Sequence, residues 1–127
     1  MKILILDDEK YRHEGLEGVL KGPGVEIWHA YDCQRAMKVL EEVGPFDEAY
    51  LDYNLGTQKE LTGLDAARYI VKMPKSKRPR MVRIHSWHPT GAWRMQQALE
   101  DGDIPVVNEP FGQTVARLRQ QEGSGNE

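Results

Sequence analysis

Five short apolar runs recur along this chain, each followed by a stretch with helical spacing, and that alternation restricts the fold more than any other feature. KILIL (2–6), VEIWHAY (25–31), EAYLDY (48–53), MVRIHS (81–86) and IPVVNE (104–109) read as strands. Runs this short and apolar suit strands buried on both faces, the second being the more exposed one. A helix is predicted from about Tyr11 to Leu20, stopped by Gly22-Pro23-Gly24. Asp32 is placed to cap a second helix, with Ala36, Met37, Val39, Leu40 and Val43 at helical spacing and Gly44-Pro45 at its end. After a polar loop, Asn54–Thr62, GLDAARYIVKM forms a third, closed by Pro74; Thr90 to Asp101 and GQTVARLRQQ supply the last two.

Strict strand–helix alternation predicts βαβ units, and hence an α/β, doubly wound parallel sheet. Five of each fit a flavodoxin-like (βα)5 arrangement with strand order 2-1-3-4-5. The 127 residues make a single domain over 1–121, with EGSGNE (122–127) as a flexible tail. Right-handed crossovers place the C-terminal ends of all strands on one edge. That edge gathers Asp7 and Asp8, Asp52, Ser86 and Glu109, with Glu9 close behind. Two carboxylates about 5 Å apart repel by roughly 3 kcal/mol at an effective dielectric of about 20. Such a cluster binds a cation, takes up protons or splays apart. As oxygen ligands, Asp7, Asp8 and Asp52 favour Mg2+, Mn2+ or Ca2+. The bland alternative is one helix cap and two solvated carboxylates.

A net charge of −3 and a pI near 5.8 exclude a general attraction to duplex nucleic acid or an anionic membrane. No stretch approaches the roughly 20 apolar residues of a membrane span. The lone Cys33 allows no internal disulfide, and with no leader-like segment a cytoplasmic location is expected. The basic run Lys72, Lys75, Lys77, Arg78 and Arg80 falls on the opposite edge and is expected to be a solvated loop.

Near the acidic edge, His85 and His88 flank Trp87 and have the right chemistry to move protons near neutrality. If Ser86 points into the site, alternation sends His85 to the other face and returns His88. Trp87 is placed to form a pocket wall, by stacking on a base or by plugging an entrance. Trp93 is expected in the core. Arg94, and less so Arg12, are candidate phosphate clamps, while His13 and His29 read as packing or surface groups.

From ILILDDE through LDYNL to Ser86 and Glu109-Pro110-Phe111, nearly the whole chain resembles the receiver domain of two-component response regulators. The resemblance implies Mg2+ held by the acidic pair Asp7 and Asp8 with Asp52, a phosphoryl group accepted by Asp52, the Asn54 backbone carbonyl as a metal ligand, and Ser86 on a phosphoryl oxygen. Three positions depart from that pattern: Glu109 replaces a lysine, Val106 an aromatic residue, and Trp87 a small residue. A narrower resemblance, carried by TGLDAARYI, IHSWHPTGAWRM and IPVVNEPF, is to the cyclic-phosphate processing receiver family. The chain differs from that family's pattern at Tyr53 and Asn54. This likeness implies a metal-dependent phosphoesterase with Mg2+ or Mn2+, acting on small cyclic phosphates or nucleotides. Its site would comprise Asp7, Asp8 and Asp52 for metal, with His85, His88 and Ser86 beside Asp52 in catalysis. Trp87, Arg94 and Asn54 would bind substrate. The alternatives are a stand-alone receiver phosphorylated on Asp52 by a histidine kinase, and a pseudo-receiver that only docks partners.

Overall fold

In chain order the elements are β1 (Lys2–Leu6), α1 (Lys10–Leu20), β2 (Glu26–Ala30), α2 (Cys33–Glu42), β3 (Glu48–Leu51), α3 (Gly63–Lys72), β4 (Met81–Ile84), α4 (Pro89–Asp101), β5 (Val106–Asn108) and α5 (Phe111–Gly125), with a 3-10 turn at Lys75–Lys77. This computed structural model describes residues 1–56 and 60–125, the side chains of 122–125 excepted. Part of the loop expected at Asn54–Thr62, and the last two residues of the expected tail, lie outside them. All five strands are parallel and ordered β2-β1-β3-β4-β5, the flavodoxin-like arrangement.

The sheet is sandwiched because its strands are apolar on both faces. Leu4, Leu6, Ala49, Leu51, Val82 and Ile84 pack against Ala36, Val39 and Leu40 of α2, Ala67 and Ile70 of α3, and Met95 and Leu99 of α4. Ile3, Ile5 and Tyr50 face the other way, onto Leu16 of α1 and Val115 of α5. Each fully buried Leu or Ile contributes roughly 1.5–3 kcal/mol, so the larger layer supplies most of the drive to fold. Helix starts are fixed locally. The Asp32 carboxylate accepts from the Arg35 N–H at 2.8 Å, and Thr62 and Asp65 form a reciprocal capping box on α3.

Register then sets the site. Leu6 lies opposite Leu51, Leu51 opposite Ile84, and Ile84 opposite Asn108. The ladder continues one residue past these partners. The N–H of Asp7 donates to Ala30 O (3.1 Å), Asp52 to Leu6 O (3.0 Å), His85 to Leu51 O (3.1 Å) and Glu109 to Ile84 O (2.8 Å). Four chemically rich residues thus stand in one backbone-locked row. Alternation carries them to the side of Ile5 and Tyr50, facing α1 and α5.

Among the described residues no helix is long and apolar enough to cross a membrane. The basic run is partly structural: the Arg78 guanidinium donates to the carbonyls of Met73 (3.0 Å), Gly102 (3.1 Å) and Val71, tying α3 to the turn before β5.

Candidate functional site

Asp7, Asp52 and His85 are all buried, and each offers a ligand atom within 4.8 Å of the others. His85 Nε2–H donates to Asp7 Oδ2 at 2.7 Å. The other oxygen of Asp7 accepts from the Glu9 N–H at 2.8 Å and from Arg12 Nε at 3.1 Å. Arg12 spans the cluster: its Nη2 lies 3.6 Å from Asp8 Oδ1 and 3.8 Å from Asp52 Oδ2. One helical turn after Asp8, it is placed by the pitch of α1 to lie back over the strand ends. Its side chain is only 13% exposed, so its charge acts in a poorly solvated setting.

The carboxylates divide in character. Burial alone would raise Asp7, but the His85 hydrogen bond and charge, the Glu9 N–H and Arg12 together hold it below the ordinary carboxylate value. Asp52 goes the other way. Burial and then the charge of Asp7 push it up to about 6, against the weaker pull of His85, Arg12 and a Ser86 hydrogen bond. Asp8 is also raised, by burial and by Asp7. Charge repulsion is therefore relieved by an internal cation and by readier protonation.

A cavity of about 460 Å³ opens onto this edge, lined by Asp8, Glu9, Arg12, Asp52, Asn54, Gly56, Ser86, Trp87 and His88. Ser86 Oγ accepts from the His88 N–H at 3.1 Å and donates to Asp52. His88 is the N-cap of α4: its Nδ1 accepts from the Gly91 N–H at 2.9 Å. The neutral ring therefore carries its proton on Nε2 and is a donor there. Tyr53 stacks on it with centroids 4.6 Å apart. Two glycines of the sequence motifs make room for this turn. A Cβ on Gly63 would fall 1.9 Å from the Asp52 carbonyl oxygen, and one on Gly91 would fall 2.3 Å from the Tyr53 ring.

Two carboxylates and an imidazole at this spacing are a donor set that fits a divalent cation. Asp8 Oδ1, buried without a hydrogen bond, is the further oxygen at hand. The tight group is thus Asp7, Asp52 and His85, instead of the three aspartates expected. Alternation does send His85 to the face opposite Ser86, as reasoned, but the deepest part of the site lies on that face.

Other expectations change too. Trp93 is 58% exposed, not in the core, because it occupies the outer side of α4. Arg94 is likewise exposed and lines neither the acidic cavity nor the one beside it, whereas Arg12, the less favoured clamp, sits inside. Glu109 stands in the row but pairs with Arg117 Nε at 3.1 Å, which draws its charge toward α5. His13 is buried, with Nε2 donating to the Asp7 carbonyl oxygen (2.8 Å) and Nδ1 2.7 Å from Nδ1 of His29. The same His29 ring reaches Glu17 through Nε2 at 3.4 Å. The spacing of Arg12 from Asp8 was the one sequence signal for Arg12. Nothing in the pattern singled out the His13–His29 pair.

The fold recurs in solved receivers. The chain is similar to the response regulator domain of Thermotoga maritima CheB (22% identity, 95% of this chain and 92% of that one, TM-score 0.67). It is also similar to the phosphorylated cyanobacterial phytochrome response regulator RcpA (19%, 95% and 90%, TM-score 0.71). The receiver domain of NtrX from Brucella abortus gives 26% identity over 96% of this chain and 95% of that one, with a TM-score of 0.66. No curated protein sequence matches. The family model for the cyclic-phosphate processing receiver domain matches residues 2–101. With a receiver sheet, its acidic edge and a match over most of its length, the chain belongs to the cyclic-phosphate processing receiver domain family.

Proposed function

We propose that this domain is a divalent-metal-dependent phosphoesterase that opens small cyclic phosphates, cyclic nucleotides among them. The observation that carries the reading is the convergence of Arg12, Ser86, Asn54 and His88 with Asp52 on one cavity, while Glu109 is withdrawn onto Arg117. Donors for phosphoryl oxygens thus surround a buried carboxylate, and the negative group that would repel a phosphate is held aside. The family's description, cyclic-phosphate processing, points the same way.

Asp7, Asp52 and His85 would hold the cation with Asp8 beside them, and the cation would polarise phosphoryl oxygens and acidify a water. The imidazole among the donors favours a transition-metal ion over Mg2+, with Mn2+ the weakest-binding of that series. The chain's own groups do the rest. Arg12 clamps a phosphoryl oxygen with its planar fork, and the Nε2–H of His88 and the Ser86 hydroxyl, rotated from Asp52, donate to the others. Water oxygen bonds to phosphorus, one ring P–O bond breaks, and the leaving alkoxide takes up the proton relayed from the water through Asp52, giving a phosphomonoester. Asp52 takes the proton that the water loses. His88 serves as a hydrogen-bond donor through Nε2, because its Nδ1 already accepts the α4 cap hydrogen bond. Without a cation, His85 positions the Asp7 carboxylate by donating Nε2–H to it; with one bound, the ring would give up that proton to act as a ligand.

The test is incubation of the purified chain with 2′,3′-cyclic and 3′,5′-cyclic nucleotides and Mn2+ or Mg2+, followed by phosphorus NMR. Phosphomonoester that vanishes with chelator and in Asp52→Asn is expected; no product from any of them overturns the reading. One observation favours a second reading, in which Asp52 accepts a phosphoryl group from a histidine kinase: Arg12 lies 3.8 Å from it and supplies a cation where Glu109 supplies none. Acetyl phosphate would then add a phosphoryl mass to intact protein, and Asp52→Asn would abolish the gain.

A further inference from the structure

Two of the three most exposed large aromatic residues among those described, Trp87 (63%) and Trp93 (58%), face one cavity. It measures about 420 Å³ and is completed by Ser86, Pro89, Ala92, Asn108 and Pro110. The core gains little from either indole, since more than half of each stays in water. The third tryptophan differs: Trp28 is half-buried against the main core and donates to Glu26 at 2.9 Å. Trp87 is also held over the start of α5, where a Cβ on Gly112 would come within 3.9 Å of its ring.

Three properties decide what the slot takes. Its walls are flat indoles and proline rings with no charged side chain, which suits a neutral planar group. Its polar groups are one hydroxyl and one carboxamide, Ser86 and Asn108, which suit the edge of a heterocycle. It also adjoins the acidic cavity, since Ser86 and Trp87 line both. One molecule can therefore have an anionic end beside Arg12 and Asp52 and an aromatic end between the tryptophans.

We infer that the slot formed by Trp87 and Trp93 is a nucleobase subsite, so that the phosphates this domain takes are those of nucleotides, not of sugars or polyols. The inference rests on the proposed phosphate reading of the neighbouring cavity and specifies its substrate class. Aromatic stacking of a single base is worth on the order of tenfold in affinity.

Intrinsic tryptophan fluorescence and calorimetry on the full chain test it, with adenosine 5′-monophosphate and ribose 5-phosphate as probes. The nucleotide is expected to bind about tenfold more tightly than the sugar phosphate. Trp87→Ala and Trp93→Ala should each reduce that preference and the double variant should abolish it, with Trp93→Ala, which lies outside the phosphate cavity, leaving ribose 5-phosphate affinity unchanged. Both positions are exposed, so thermal midpoints should stay close to wild type. Equal affinity for the two probes, no nucleotide binding at all, or a preference that survives the double variant overturns the inference. So does a dimer in sedimentation that the double variant dissociates, since a second copy would then fill the slot. The two readings fail separately: sugar phosphate bound without base preference removes only the subsite, whereas base preference without turnover of any cyclic phosphate removes only the esterase.

Discussion

Asp52 makes the protein's stability depend on pH in an unusual direction. Its carboxyl is raised from 3.8 to about 6 by burial first and Asp7 second, so the fold prefers the protonated form. The unfolded chain releases that proton near 3.8. This group's stabilisation is complete below 3.8 and is lost as pH rises through about 6, a change on the order of 3 kcal/mol. Asp7, being lowered, acts oppositely, stabilising above its ordinary value and losing that effect as pH falls. In chelator, Asp52→Asn should gain about 2 kcal/mol at pH 7.5 and flatten the stability profile between pH 4 and 6, read by urea denaturation. Arg12→Gln should lose about 3 kcal/mol at pH 7, because three carboxylates lose their shared cation, and Mn2+ should restore part of it. The aspartates were legible in sequence because they follow apolar runs. Arg12 was legible only as the less favoured clamp, since an arginine early in a helix looks the same whether it meets solvent or bridges three acids. His85 was legible as a site candidate, but its contact with Asp7 was not, since strand alternation alone sends it to the face opposite Ser86.

At the scale of elements, the strands end sooner than their apolar runs suggest: β3 stops at Leu51 and β4 at Ile84, which leaves Asp52 and His85 just past the strand ends, with Asp52 bordering the cavity. Helix positions and strand order were readable from spacing, as was the Asp32 cap. The purpose of the motif glycines was not, since it depends on what another element brings against them. Gly63→Ala should cost about 3 kcal/mol in denaturant unfolding, as α3 cannot approach the Asp52 carbonyl with a Cβ in the way. His88 separates cap from chemistry. His88→Ala should lose about 1 kcal/mol, whereas His88→Asn, which keeps a cap acceptor, should melt near wild type. Its phosphoester turnover should still fall, because the ring donor is gone.

For the whole molecule, the balance of charge at the acidic edge differs from that implied by the receiver resemblance. The lysine expected there is Glu109, and Arg117 of α5 neutralises it. Positive charge comes instead from Arg12 on α1, with His85 of the fourth strand end as a further donor. A divalent cation should therefore stabilise the entire fold by mass action. Mn2+ should raise the thermal midpoint more at pH 7.5 than at pH 5, where protonated Asp52 ligates poorly, and chelator should reverse the gain. An unchanged midpoint at both pH values counts against metal binding.

The hydrogen bonds that extend the ladder one residue past each strand have a wider consequence. Asp7, Asp52, His85 and Glu109 are anchored through main-chain atoms, which every residue but proline possesses. Their side chains are consequently interchangeable fittings on a rigid rail. A lineage can trade an ammonium for a carboxylate at one socket, and gain an imidazole at the next, without bending the rail.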